Sequence, residues 1–401
     1  MLAGIEMFKG VGLRSRKRKK LGKSVEEDFS IADIDIEGFT KKLIEIRNKI
    51  ERDLGEEDFE HFRKVERWGK VSSALGFASG ALIPNPLSAA LISIGKTTRW
   101  TIAAHHILHN GYDRIDNVPK RYKSFGFAKG WRRYLDWFDW IEPKAWDREH
   151  NILHHFRLGE RFDPDVFQFN VERVRSMDIP KESKKLIMAM FALTWKWTYY
   201  APSTTKMYTM AKPSYGNKDK SNDRLYLFDA VYLPWTKQGK RLWKKSYLPY
   251  FVGNFVVIPA AFGILSPVAS FNIFWNLVFA ELLTNLHTFL IIVPNDTGDD
   301  LYRFDSPIKN RSDFYIRQII GSVNYKTGTD LNDFFHGWLN YQIEHHVWPD
   351  LTLKQYQKVQ PKLKKLCLEY GVPYRQESVF KRFSKLFDIL DGSASMKVFK
   401  K

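Results

Sequence analysis

A chain of 401 residues is long enough for one large domain or two ordinary ones. With 63 Lys and Arg against 45 Asp and Glu it carries a net charge of +18, which calls for an anionic neighbour; 13 Trp and 15% aromatic residues place that neighbour at a membrane interface sooner than on a nucleic acid. The single Cys367 excludes an internal disulfide and a thiolate metal cage, so any metal would rest on nitrogen and oxygen donors.

The N-terminus, M-L-A-G-I-E-M-F-K-G, has no long apolar core with a cleavage site behind it, and no secretory signal is expected. Residues 1–70 read as a basic and amphipathic N-terminal segment on the cytoplasmic side. The run R-S-R-K-R-K-K at 14–20 suits a solvated stretch beside a membrane, with a nucleic-acid patch as the alternative. Phe39, Leu43, Ile46, Ile50 and Leu54 recur at helical spacing up to Gly55. A second short helix is expected to carry Phe59 and Phe62, with His61 exposed.

Residues 71–95 contain no charged side chain, but Pro84 and Pro86 interrupt what would otherwise be one span of about 20 residues. The pattern predicts a hairpin. One arm ends before Leu82, I-P-N-P makes the turn, and the return arm runs through Ile94 toward His105, leaving the hydrocarbon at Lys96 and Arg99. Residues 110–185 are polar, basic and rich in aromatics, as in W-R-R-Y-L-D-W-F-D-W at 131–140, and suit interfacial helices. The apolar stretch 186–201 contains Lys196. As a span it would put the lysine-rich segment 206–245 across the membrane from the other basic loops, so an interfacial helix is expected instead.

Residues 249–280 are again uncharged, and the apolar run continues past Glu281 to Val293. S-P-V-A-S at 266–270 divides it into two arms of spanning length, and the returning arm brings back His287. Two hairpins put every Lys and Arg on one face. The fold class expected is therefore an all-α integral membrane protein: two transmembrane helical hairpins, four spans, under a helical cytoplasmic cap. Residues 71–374 form that membrane domain, in which Leu363, Leu366 and Tyr370 mark a surface helix. Residues 375–401 form a basic C-terminal tail.

Nine of the 11 histidines fall in three short clusters: His105/His106/His109, His150/His154/His155 and His336/His345/His346. All three lie on the same face as the basic loops. His105 and His109 share an α-helical face, as do His150 and His154; Gln342 can face one point with His345 and His346. A lone histidine pair is more often a satisfied core pair than a ligand set, and that bland reading holds for His106 and His336. The three clusters with His287 and Gln342 offer enough donors for two metals, and all-nitrogen ligation suits iron, copper or zinc. Imidazole N–H partners are needed as well, and Glu281, Asp333 and Glu344 are conceivable ones.

H-x-x-x-H at 105–109, H-N-I-L-H-H at 150–155 and Q-I-E-H-H at 342–346 resemble the three histidine boxes of membrane fatty acid desaturases, with the third box of the front-end type. The resemblance covers roughly residues 71–374. It implies a di-iron centre held by His105, His109, His150, His154, His155, His287, Gln342, His345 and His346, with His106 an alternative to His105. It also implies molecular oxygen as co-substrate, two external electrons and a double bond placed in a long acyl chain. Box two has three residues between its first histidine and the pair, where many front-end enzymes have two. No His-Pro-Gly-Gly haem signature occurs, so electrons are expected from a separate ferredoxin or cytochrome b5-type donor. The acyl group would arrive on coenzyme A, on acyl carrier protein or in a lipid, at the cytoplasmic face of a bacterial inner membrane or the endoplasmic reticulum. The aromatics at 131–140 pack at the interface or line an acyl channel. Alternative readings are a hydroxylase or ketolase of lipid chains on the same scaffold, and a non-enzymatic membrane metal-binding or transport protein. A nucleic-acid partner is not expected.

Overall fold

The structure, a computed structural model, describes residues 29, 34–210, 224–225 and 229–399; the basic run at 14–20 lies outside them. Helix α1 (Ile36–Arg52) starts on Asp35, whose carboxylate accepts the Gly38 N–H at 2.9 Å, and buries Phe39, Leu43 and Ile50. Helix α2 runs unbroken from Glu56 to Gly80. The expected short helix carrying Phe59 and Phe62 is simply its first half, because no proline follows Gly55 until Pro84. His61 is not exposed as expected: its Nε2 lies 3.0 Å from Asp330 Oδ1, with only 11% of the side chain accessible.

The prolines that interrupt the apolar runs begin the return arms. Asn85 accepts the Ser88 N–H at 2.8 Å, and Pro86 takes the start of α3 (Pro86–Thr97), where a missing N–H is no loss. Helix α3 passes into a wide π turn, Thr98–Ala104, and then into α4 (His105–Leu108). Ser266 and Pro267 repeat the device at the second tip. The first arm of that hairpin has π segments at Trp243–Tyr247 and Gly253–Val257, each just ahead of Pro249 or Pro259. A proline ring clashes with the carbonyl four residues back in a regular α-helix, and the wider turn relieves the clash.

Among the described residues two helices are long and apolar enough to cross a membrane, Lys237–Gly263 and Pro267–Asp296. The first hairpin is apolar over a shorter length, since α2 is charged as far as Lys70 and the return arm meets Lys96. The two hairpins pack through Ala89, Ile92, Ile273, Leu277 and Ala280. Asn276 donates to Gly80 O at 3.0 Å and accepts the Asn85 N–H at 3.1 Å, closing the first tip. The stretch 186–201 lies in one helical run made of Lys181–Trp195, Lys196–Tyr200 and Ala201–Thr209. Trp195 Nε1 donates to Asn285 O at 2.9 Å and holds this run against the second hairpin.

Both chain ends contribute to one large core: Phe39 and Leu43 from α1, Leu363 from the Leu353–Glu369 helix, and Leu386 and Ile389 from the Val379–Asp391 helix. The basic tail is therefore structural. Its Arg382 is fully buried, with Nη1 2.7 Å from Asp300 Oδ1. A short parallel pair, β1 (Tyr302–Arg303) with β2 (Lys397–Val398), ties that tail down.

Candidate metal centre

The histidines of the first box sit where the α3 return arm ends, and those of the second sit on another π segment, Asp147–His154. That geometry decides how they face. In an α-helix His155 would stand about a hundred degrees away from His154. Here the His155 N–H bonds to His150 O at 3.1 Å, five residues back, and the wider turn lets His150, His154 and His155 all enter the donor groups described next. The third box is a short helix, Gln342–Val347, entered through left-handed Gly337 and Trp338. Gly337 is required twice: φ is +62°, and a Cβ there would lie 2.4 Å from Thr101 Oγ1.

Three sets of donors result among the described residues, two of them sharing no member and the third, His150, His154 and Asp165, sharing one histidine with each. One nitrogen each from His105, His109, His150, His155 and His345 lies within 4.8 Å of all the others, and so do the donors of a second group, His154, Asp296 and His346. In the first, His150 Nε2 is 3.0 Å from His105 Nε2 and 3.3 Å from His155 Nε2. Buried His109 Nε2 and His345 Nε2 meet no hydrogen-bond partner. Burial, reinforced by the neighbouring rings, holds His150, His155 and His345 well below the usual imidazole pKa. Neutral imidazoles crowding lone pairs together in a dry site fit a cation better than they fit one another.

The remaining ring nitrogens are held by groups that aim the donors. His345 Nδ1 lies 3.2 Å from Tyr356 Oη, which donates its own proton to Trp348 O and Pro349 O, and so accepts from the ring. His346 Nδ1 is 3.1 Å from Gln318 Oε1, and the same amide donates to His155 O at 3.0 Å. His154 Nδ1 is 3.0 Å from Asp163 Oδ1. Burial alone would depress His154, but Asp163, aided by Asp165 and Asp296, raises it to about 10. Burial, helped by Asp163 and opposed by His154, pushes Asp165 up to about 6. Gln342 Nε2 is 2.8 Å from Asp296 Oδ2 and 2.9 Å from His346 Nε2, so it borders the second group.

The three carboxylates expected to serve the rings do not touch them. Glu281 binds Lys96, Tyr250 and Trp140; Asp333 binds Asn340 and Tyr341; Glu344 binds Asn324 and Tyr374. His287 is not brought into either group. It flanks the buried stripe of the Pro267–Ile292 helix and puts Nε2 2.7 Å from Phe335 O, while Asp296, beyond the end of that helix, lies with His154 and His346. His106 and His336 bond backbone carbonyls of their own helical turns, Ile102 O and Asn332 O. Asp296 had a sequence signal, an acid directly after the apolar run. Asp163 and Asp165 follow box two in R-F-D-P-D. Gln318 and Tyr356 had none.

A cavity of about 220 Å³ opens onto both groups. His105, His150, His154, His345 and Gln342 border it on one side; Trp100, Met188, Phe191 and Trp195 make an apolar wall on the other. A family model described as fatty acid desaturase matches residues 81–378.

The chain belongs to the fatty acid desaturase family.

As a desaturase it is an oxidoreductase acting on fatty acyl chains, and the histidine groups are where such a family would place a metal. It is 24% identical over 373 residues to the NADPH-dependent stearoyl-CoA 9-desaturase of Mycobacterium tuberculosis, covering 90% of this chain and 80% of that protein. It is 23% identical to delta(5) fatty acid desaturase A of Dictyostelium discoideum over 284 residues, 67% of this chain and 55% of that one. With the fatty acid desaturase 2-like protein FADS2B of Mus musculus it shares 36% identity over 84 residues, 21% of this chain and 17% of the mouse protein. No solved structure matches the chain.

Proposed function

We propose that this desaturase is a membrane enzyme that uses two irons, molecular oxygen and two electrons to place a double bond in a long-chain acyl group. The observation that carries the reading is the convergence of two donor groups on one apolar-walled cavity. His105, His109, His150, His155 and His345 would hold one iron. His154, His346 and Asp296, with Gln342 at their edge, would hold the other. Once bound, the irons supply oxygen reduction and hydrogen removal from adjacent methylenes.

The chain's own residues do the rest. Tyr356, Gln318 and Asp163 hold the rings of His345, His346 and His154 at Nδ1 and leave Nε2 facing the site. The Trp100, Phe191 and Trp195 wall positions two methylenes and excludes water, and desaturation in place of oxygen insertion depends on that positioning. Four helices would span the bilayer, with the cap and site at the cytoplasmic face. In support, the largest apolar side chains at both tips face outward: Leu82 is 80% and Ile264 88% exposed. The match to the mycobacterial enzyme supports a coenzyme A thioester as substrate and NADPH as the final reductant, delivered by a separate ferredoxin or cytochrome b5-type carrier.

The test is expression in a host of simple lipid profile, with fatty acid analysis by mass spectrometry and metal analysis of the purified protein. A new double bond and about two irons per chain are expected. His345→Ala and Asp296→Ala lose activity and metal, and His287→Ala keeps both. Acyl chains that gain oxygen, or a loss of iron in His287→Ala equal to that in Asp296→Ala, contradict the assignment.

A further inference from the structure

We infer that a second pocket, between α2, the Thr98–Ala104 turn and residues 121–136, binds a phosphate group at the membrane surface. The inference uses the membrane placement of the hairpins but not the reaction. The pocket is about 190 Å³ and shares no lining residue with the metal-site cavity. Four cations border it, Lys70, Arg99, Arg121 and Arg132, against two carboxylates, Glu66 and Asp136.

Most of these charges are already engaged. Lys70 Nζ is 2.7 Å from Glu66 Oε1, Arg132 Nη2 is 2.6 Å from Asp136 Oδ1, and Arg121 donates to the Tyr122 hydroxyl. Tyr122 in turn donates to Glu66 Oε2 at 3.1 Å, so the two acids are spent on neighbours within the pocket. Arg99 is the exception. Its half-buried guanidinium lines the pocket and forms no hydrogen bond or ion pair with any described residue. A fork of five N–H donors left open beside three further cations matches the oxygens of a phosphate.

The depth of the pocket puts that phosphate at the membrane surface. Lys70 is the last charged residue before the uncharged arm of α2, and Arg99 lies just past Lys96, where the uncharged stretch of α3 ends. Both therefore stand at headgroup level. Leu135 in the lining, and Phe125, Trp131 and Tyr134 in the same stretch of chain, are between 48% and 68% exposed, an apolar surface suited to the headgroup boundary. The close approach of α2 and α3 beneath the pocket depends on glycines: a Cβ on Gly69 would lie 2.5 Å from Thr98, and one on Gly95 would lie 1.8 Å from Ser73 Oγ. A phospholipid headgroup and the phosphates of coenzyme A share the chemistry the pocket recognises.

The full chain in a neutral detergent is titrated calorimetrically with coenzyme A and, separately, with dihexanoyl phosphatidylglycerol. Wild type, Arg99→Gln, Arg99→Lys, Arg121→Gln and, as a remote charge control, Lys365→Gln are compared. Saturable binding of at least one probe is expected, weakened tenfold or more by Arg99→Gln, less by Arg99→Lys, and unchanged by Lys365→Gln. Arg121→Gln weakens it too, and answers the question should the Arg99 variants fail to fold. The probe whose affinity falls identifies the source. Absence of saturable binding of either probe, affinities unaltered by the pocket variants, or an equal loss in Lys365→Gln would overturn the inference. Coenzyme A bound only in the substrate cavity would show as an affinity indifferent to Arg99, leaving the desaturase reading intact.

Discussion

His154 shows how one residue couples the site to the stability of the fold. Its Nδ1 faces Asp163, and the buried carboxylates around it outweigh burial and raise its pKa to about 10 in the metal-free chain. A group raised above its unfolded value of about 6.5 contributes stability that is complete below that pH and is lost as pH climbs toward the folded value. The difference in thermal midpoint between metal-free wild type and Asp163→Asn should therefore be largest near about pH 6 and narrow by about pH 10. A difference constant over that window would mean the pair is not the source. Under the proposed function a metal at His154 would displace the proton from Nε2, and the same carboxylate that stabilises the protonated ring would make it a better ligand. At this scale the histidines were legible because nine of 11 were bunched. Their amide and phenol partners were not, since Gln318 and Tyr356 carry no spacing rule that distinguishes them from other polar residues; Asp163 had only its place after box two.

The elements were read from breakers and runs of uncharged residues, and both turns fell where Pro86 and Pro267 required them. Turn chemistry is local, so sequence reports it. The π segments are different. Each keeps the same residues but changes which ones share a face, so helical spacing paired His150 with His154 but did not by itself turn His155 the same way. Buried charge was also out of reach of pattern. Lys96 was expected to mark the exit from hydrocarbon, yet its Nζ turns inward to Glu281 at 2.8 Å, with Tyr250 and Asn254 also bound. Removing one partner of such a pair leaves the other charge stranded, at about 3–5 kcal/mol. Lys96→Met should thus lower the detergent unfolding midpoint sharply, and Lys96→Met with Glu281→Leu should recover part of the loss. A double variant no better than the single one would locate the cost elsewhere in the hairpin contact.

For the whole molecule the two outward apolar tips, Leu82 at one and Ile264 at the other, set a topology that labelling can check. The native Cys367 is buried, so a Cys367→Ala background leaves introduced cysteines as the only thiols. In sealed vesicles a membrane-impermeant maleimide should reach Leu82→Cys and Ile264→Cys from one side and Lys365→Cys from the other. Labelling of all three from the same side would rule out four spans. By itself the sequence determined the helical class, the two hairpins with their turns, and the family through three histidine motifs, because breakers, runs of uncharged residues and close spacings are properties of neighbouring residues. Only the tertiary structure decided that Asp296 and not His287 lies with His154 and His346, that the chain's two ends share one core, and that Arg99 lines a pocket apart from the histidines. Those outcomes depend on which faces meet after residues far apart in the chain have packed, and no local pattern encodes that.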